Sequence, residues 1–138
     1  MSDEFVGKWI SDSAENMEAY MEALGANWVI RKLVPKIALT LEMTIEINGN
    51  HWNMNAYSAV KNFHLEFDLG KEFEEVSGDG RKVLSTLTFE NGKLFHIQKA
   101  LKKEEKNSSY VSYIENGKLI QIAECDGVES RRIYTKVE

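Results

Sequence analysis

Apolar and polar residues alternate with a period of two along most of this chain. Between Leu41 and Ile47 the apolar positions are Leu41, Met43, Ile45 and Ile47, with Glu42, Thr44 and Glu46 on the other face, the pattern of a half-buried strand. Trp52, Met54 and Ala56 then alternate with Asn53, Asn55 and Tyr57, and Phe63, Leu65, Phe67 and Leu69 with His64, Glu66 and Asp68. Further strands are predicted around Phe73 to Val76, Val83 to Phe89, Lys93 to Leu101, Ser108 to Glu115, Lys118 to Cys125 and Val128 to Val137. With Phe5 to Ser11, the total is ten. Four dipeptides, Asn48-Gly49, Asn91-Gly92, Asn116-Gly117 and Asp126-Gly127, stand between alternating runs and predict antiparallel hairpins, because these residues tolerate the positive φ of a tight turn.

One stretch follows a different period. From Ala14 to Leu24 the positions Met17, Tyr20, Met21 and Leu24 repeat at i, i+3, i+4 and i+7, which predicts a short amphipathic helix with Asp12 or Ser13 as cap and Glu15 in its first turn. After Gly25 the same spacing recurs at Ile30, Leu33, Val34 and Ile37, with Pro35 disfavouring further helix. Two short helices are too little to cover a sheet of ten strands, so the strands must remove their own edges by closing into an antiparallel barrel. Ten strands leave more interior space than the eight that side chains just fill. Counting parity from the apolar residues places Ser58, Ser85, His96, Gln98, Ser112, Gln121 and Arg132 inside, more polar groups than a dry core accepts. The expectation is a solvated pocket with an apolar section.

The length of 138 residues fits one domain, residues 1–138. At 43% hydrophobic and 28% charged residues the composition is that of a soluble globular protein. The net charge of −5 repels nucleic acid phosphates, so no nucleic-acid partner is expected. A lone Cys125 forms no internal disulfide, and no Cys/His spacing resembles a metal site; a reducing compartment fits. Met1-Ser2-Asp3-Glu4-Phe5 lacks the basic then apolar pattern of a secretory signal, and no apolar run is long enough to span a bilayer as a helix, which gives a cytoplasmic expectation.

Several segments resemble the intracellular lipid-binding proteins, the fatty acid-binding and cellular retinoid-binding group. They are Phe5-Val6-Gly7-Lys8-Trp9, Glu15-Asn16-Met17-Glu18-Ala19-Tyr20-Met21 with Leu24-Gly25, Ile30-Arg31-Lys32, and Lys61-Asn62. Leu69-Gly70-Lys71-Glu72-Phe73-Glu74-Glu75-Val76, Asp79-Gly80-Arg81-Lys82-Val83, His96-Ile97-Gln98-Lys99 and Arg132-Ile133-Tyr134-Thr135-Lys136-Val137 follow in the family's order, so nearly the whole chain is covered. The resemblance implies an all-β, lipocalin-like, ten-stranded antiparallel up-and-down barrel with a helix-turn-helix cap between the first and second strands. It also implies one long-chain fatty acid, or a similar hydrophobic carboxylate, held inside by Arg132 and Tyr134. Met17, Met21, Met43, Met54, Ala56, Ser58, His96, Gln98, Tyr110, Ser112, Gln121 and Ala123 are the residues expected to line the cavity. The implied portal is the second helix, Val29, Ile30 and Leu33, with the turns at Val60 and Asp79 to Arg81. In three places this chain departs from the family pattern. Ser11 stands where an apolar residue is usual, Met17 where an aromatic is usual, and Ser112 where many members carry a second interior arginine, so the usual three-residue carboxylate site is incomplete. The connection Ala100 to Asn107 is also longer than is typical.

A guanidinium presents a planar fork that fits a carboxylate, and a phenol two residues along a strand lies on the same face, so Arg132 and Tyr134 can converge. On residue chemistry alone an exposed or paired arginine explains Arg132 better; the resemblance reverses that preference. Trp28, Val29 and Leu33 beside Arg31, Lys32 and Lys36 form an apolar and basic helix suited to transient docking on an anionic bilayer, and a helix packed on the barrel with its lysines in water explains them as well. His51, His64 and His96 are scattered, without a paired carboxylate or metal spacing, so no catalytic residue, metal or cofactor is expected. The first reading is therefore a non-catalytic, monomeric carrier that delivers a fatty acid to membranes or protein partners. Beside it stand a binder of another lipid such as a retinoid, an enzyme using Tyr134 or His96, and a signalling module that presents its ligand to a nuclear partner.

Overall fold

The computed structural model describes residues 2–59, 61–77 and 80–137. A 3-10 turn at Ser2–Phe5 precedes strand β1 (Gly7–Glu15), and the helices α1 (Met17–Leu24) and α2 (Trp28–Ala38) follow it. Nine strands complete the chain: β2 (Glu42–Asn48), β3 (His51–Tyr57), β4 (Asn62–Asp68), β5 (Phe73–Val76), β6 (Lys82–Glu90), β7 (Lys93–Ala100), β8 (Ser108–Glu115), β9 (Lys118–Cys125) and β10 (Val128–Lys136). Among the described residues these ten strands make one antiparallel sheet in the order β4-β3-β2-β1-β10-β9-β8-β7-β6-β5. Pairing of β1 with β10 joins the two ends of the chain and curls the sheet into a nearly closed barrel. The remaining gap lies between β4 and β5, where Gly70 N–H bonds the Leu87 carbonyl at 2.8 Å and Phe67 and Phe73 stack with near-parallel rings 6.1 Å apart.

The hairpins form where the turn dipeptides stand. Asn91-Gly92, Asn116-Gly117 and Asp126-Gly127 all have positive φ at both positions, the mirror-image turn whose twist matches the flanking strands. The β2–β3 loop is displaced by one residue from Asn48-Gly49: Asn48 pairs with His51, and Gly49 (φ 64°) is the first of the two loop residues.

Two expectations about the helical insert are corrected. β1 does not stop at Ser11, and α1 does not begin at Ala14. A bulge between Ser11 and Ser13 lets the strand continue, so that Ala14 pairs with Arg132 and Glu15 with Arg131. Ser13 and Glu15 therefore serve the ladder, and Asp12 is the bulged residue, its carboxylate accepting from Thr135 Oγ1 at 3.3 Å and Lys118 Nζ at 3.5 Å. The chain turns instead at Asn16, which is left-handed (φ 60°), with its side-chain amide donating to the Glu129 carbonyl at 2.8 Å. The helical period was otherwise sound, since Met17, Tyr20, Met21 and Leu24 are all buried. In α2, capped by Asn27 through Ile30 N–H at 3.0 Å, the helix passes through Pro35 to Ala38. Its inward face is Ile30, Val34, Ile37 and Ala38, one step away from Leu33, which remains 42% exposed.

The core is divided between the two ends of the barrel, as the positions along β9 make clear. Leu119, at the start of β9, belongs to an aromatic floor with Phe5, Trp9, Trp52, Phe67 and Tyr134. Ala123 and Cys125, at its other end, pack with Met17, Tyr20, Met21, Leu24, Ala38 and Leu41 under the helices. The middle of the barrel is left to the cavity.

Candidate functional site

The cavity has a volume of about 350 Å³, within the range of small-molecule sites, about 300–1,000 Å³. Its walls are mixed. Met43 and Met54 sit on the paired neighbours β2 and β3, Ala56 and Phe63 pair across β3 and β4, and Leu24, Val34 and Ile37 close it from the helices. On the opposite side, Gln121 and Arg132 are direct cross-strand partners on β9 and β10, with Tyr110 and Tyr134 beside them.

Arg132 is the unusual group. Its guanidinium lies inside the barrel at the cavity wall, its Nε is shielded from solvent with no hydrogen-bond partner, and its polar neighbours are the phenols of Tyr134, which is hydrogen-bonded to it, Tyr110 and Tyr20. Burial works against its charge, yet these phenols outweigh it and hold the guanidinium above its ordinary value. Among the described residues no carboxylate lies within ion-pair distance of it, although exposed ion pairs are numerous elsewhere, from Lys8–Glu42 to Lys118–Asp12. The phenols are themselves fixed: Tyr20 bonds the Ser108 hydroxyl and, at 3.3 Å, the Tyr110 hydroxyl, and burial raises its own pKa. The barrel thus offers an enclosed cation, a hydroxyl two residues away on the same face, and apolar walls beyond.

A second polar cluster stands on strands β5 to β7. Glu75 Oε1 accepts from Ser85 Oγ at 2.6 Å, His96 Nε2 at 2.9 Å and Gln98 Nε2 at 3.4 Å. Burial disfavours its charge, but the bonds and positive potential of His96, with the bonds from Ser85 and Gln98, hold its carboxyl below the usual carboxylate range. Glu75 was missed in the sequence, although a signal existed. It is two residues after Phe73 and pairs across with the fully buried Val83, so its parity is inward. Lys61, Val76 and Ser77 at the cavity wall were also missed.

The cavity brings together Arg132, Tyr134, Met21, Met43, Met54, Ala56, His96, Gln98, Tyr110 and Gln121. Four others lie elsewhere. Met17 and Ala123 are spent in the packing beneath the helices, and Ser112 is buried between its partners Leu94 and Gln121 without reaching the cavity surface. Ser58 lies past the end of β3, where its hydroxyl donates to the Lys61 carbonyl at 2.6 Å. Of the portal residues, Val29 and Leu33 point outward and Ile30 packs on the cap, while Val34, Ile37 and Ala38 face the cavity, because the inward stripe of α2 starts one residue later than the portal expectation required. Arg81 donates to the Lys106 carbonyl at 2.8 Å, tying the β5–β6 turn to the long β7–β8 connection. Val60 and Asp79 lie outside the described residues.

A helix-capped antiparallel barrel enclosing a cavity with one buried cation and apolar walls defines a class of small β-barrels built around an internal ligand space. Residues 6–137 match the lipocalin / cytosolic fatty-acid binding protein family, and the chain belongs to it. It is 44% identical to fatty acid-binding protein homolog 6 of Caenorhabditis elegans, over 99% of both chains. It is 36% identical to human fatty acid-binding protein 9, over 99% of this chain and all of that one. The crystal structure of apo lipid binding protein 8 of Caenorhabditis elegans superposes with a TM-score of 0.90 at 34% identity, covering 99% of this chain and 97% of the other.

Proposed function

We propose that this protein is a non-catalytic cytoplasmic carrier that holds one long-chain fatty acid inside the barrel, with the carboxylate on Arg132 and Tyr134 and the chain along the methionine-rich wall. The observation that carries the reading is the enclosed guanidinium with an unpartnered Nε and no carboxylate beside it among the described residues. A buried charge is costly until a counter-ion reaches it, and an anionic ligand head is that counter-ion. That its relatives are named fatty acid-binding proteins is in keeping with it. Burial of about ten methylenes at ~0.8 kcal/mol each supplies roughly 8 kcal/mol, a micromolar affinity, so the chain sets the strength of binding and Arg132 selects for an acid. Native mass spectrometry tests the proposal: an intact fatty acid in one-to-one complex supports it, and turnover of the bound lipid, or no lipid bound on addition of oleate, refutes it.

Delivery by transient membrane contact through α2 belongs to the same proposal, with a changed physical basis. Arg31 and Lys32 are neutralised by α1, through Glu22 at 2.7 Å and Glu18 at 2.6 Å. The outward side of α2 therefore offers its apolar residues, Trp28 at 64% and Val29 at 62% exposure, more than its charge. Insertion of these side chains into the bilayer interface, with Lys36 near lipid phosphates, is the contact proposed.

A further inference from the structure

The Glu75 cluster contributes nothing to holding a carboxylate, and its geometry calls for a different chemical group. All three hydrogen bonds to Glu75 arrive at Oε1, from Ser85, His96 and Gln98. Oε2 has no partner among the described residues, on a side chain that lines the cavity and is only 15% exposed. Phe73 pairs with Ser85 and Ser85 with Gln98, so the register of β5, β6 and β7 brings Ser85 and Gln98 beside Glu75. Among the described residues, His96 is the only basic side chain within ion-pair distance of Glu75. An ionised carboxylate oxygen facing a cavity is an acceptor and cannot donate. A second carboxylate placed against it would be repelled, whereas a hydroxyl would complete it through a charge-assisted bond.

We propose that Glu75 Oε2 is a binding site for a ligand hydroxyl, so that the preferred cargo is a hydroxylated long-chain fatty acid, its carboxylate on Arg132 and its hydroxyl on Glu75. This inference rests on the carrier reading, because Arg132 must take the carboxylate. The apolar wall of Met43, Met54, Ala56 and Phe63 accommodates the remaining chain. In a cavity without such an acceptor, adding a hydroxyl to the chain weakens binding, since the group gives up water and gains no partner. Here the hydroxyl is recognised, and the sign reverses.

The test is calorimetric titration of the delipidated protein with stearic acid, the matching dicarboxylic acid, and monohydroxylated stearic acids carrying the hydroxyl near the carboxylate, mid-chain or at the terminal carbon. One hydroxylated isomer is expected to bind about tenfold more tightly than stearic acid, and the dicarboxylic acid more weakly than stearic acid. The ratio of affinities for that isomer and stearic acid, measured within each variant, is expected to fall to one or below in both Glu75→Gln and Glu75→Leu. Stearic acid binding in each variant reports that the barrel is folded, and the isosteric glutamine covers a failure of the leucine variant to fold. If stearic acid binds and every hydroxylated isomer binds more weakly, or if the ratio is unchanged in both variants, the hydroxyl site is wrong and the carrier reading stands. If neither acid binds the wild-type protein, both are wrong.

Discussion

Replacing Arg132 with glutamine removes the cavity's guanidinium while keeping a side chain of similar reach, and the loss should fall on ligands that carry a carboxylate and spare those that do not. The guanidinium has an unpartnered Nε and phenol neighbours. A charge-assisted hydrogen bond from it to a ligand carboxylate is worth ~1.5–3 kcal/mol net, which corresponds to roughly a 10- to 150-fold change in Kd. Burial of the guanidinium is common to the free and bound protein and cancels, so the cost left to binding is desolvation of the ligand carboxylate, which places the expectation in the lower half of that range. A fatty alcohol of the same length carries no charge, and its affinity should change by less than about threefold on the same scale. Calorimetric titration of delipidated wild-type and variant protein with a fatty acid and the matching alcohol reads the difference. Equal losses for acid and alcohol would show that Arg132 does not meet the head group.

Glu75, whose carboxyl is held below the usual range mainly by His96 against the cost of burial, contributes stability that is present above the unfolded-state value of about 4.3 and lost as pH falls through the folded one. The wild-type melting temperature should therefore fall more steeply below about pH 5 than that of Glu75→Gln, and parallel curves in acid thermal melts would contradict the assignment. Gly25 ends α1 at φ 88° with open space around it, so Gly25→Ala should cost about 1–2 kcal/mol through backbone strain alone; urea denaturation measures this, and no loss would mean the turn relaxes. Trp28→Ala should slow fluorescent fatty-acid transfer to vesicles several-fold while leaving Kd within about twofold, because the indole lies outside the cavity. Unchanged transfer rates would remove α2 from the contact.

The strands were legible because burial on one face and water on the other imposes a period of two, and Asn-Gly or Asp-Gly supplies the positive φ that a short hairpin requires. The apolar stripe of α1 was legible for the same kind of reason. Its start was not, since Asp12, Ser13 and Glu15 carry the marks of a helix cap and their true role depends on β10, more than a hundred residues away. The portal side of α2 was misjudged by one position at Leu33, because a helix face is chosen by what it packs against. Ser112 and Met17 have the inward character expected of them, yet being inside the barrel is distinct from touching its empty part.

Periodicity, turn chemistry and parity, all local properties of the chain, were therefore enough to predict an antiparallel barrel with polar groups inside, whereas preferring an interior Arg132 over an exposed one took the family resemblance as well. Pairing between distant strands settled the rest: that Arg132 has no carboxylate for company among the described residues, that Glu75, Ser85, His96 and Gln98 meet across three strands, and that Lys32 and Arg31 are occupied by α1. The reason is physical. A side chain's face follows from its immediate neighbours in the chain, whereas its partners follow from register and closure, which couple residues that local sequence leaves independent.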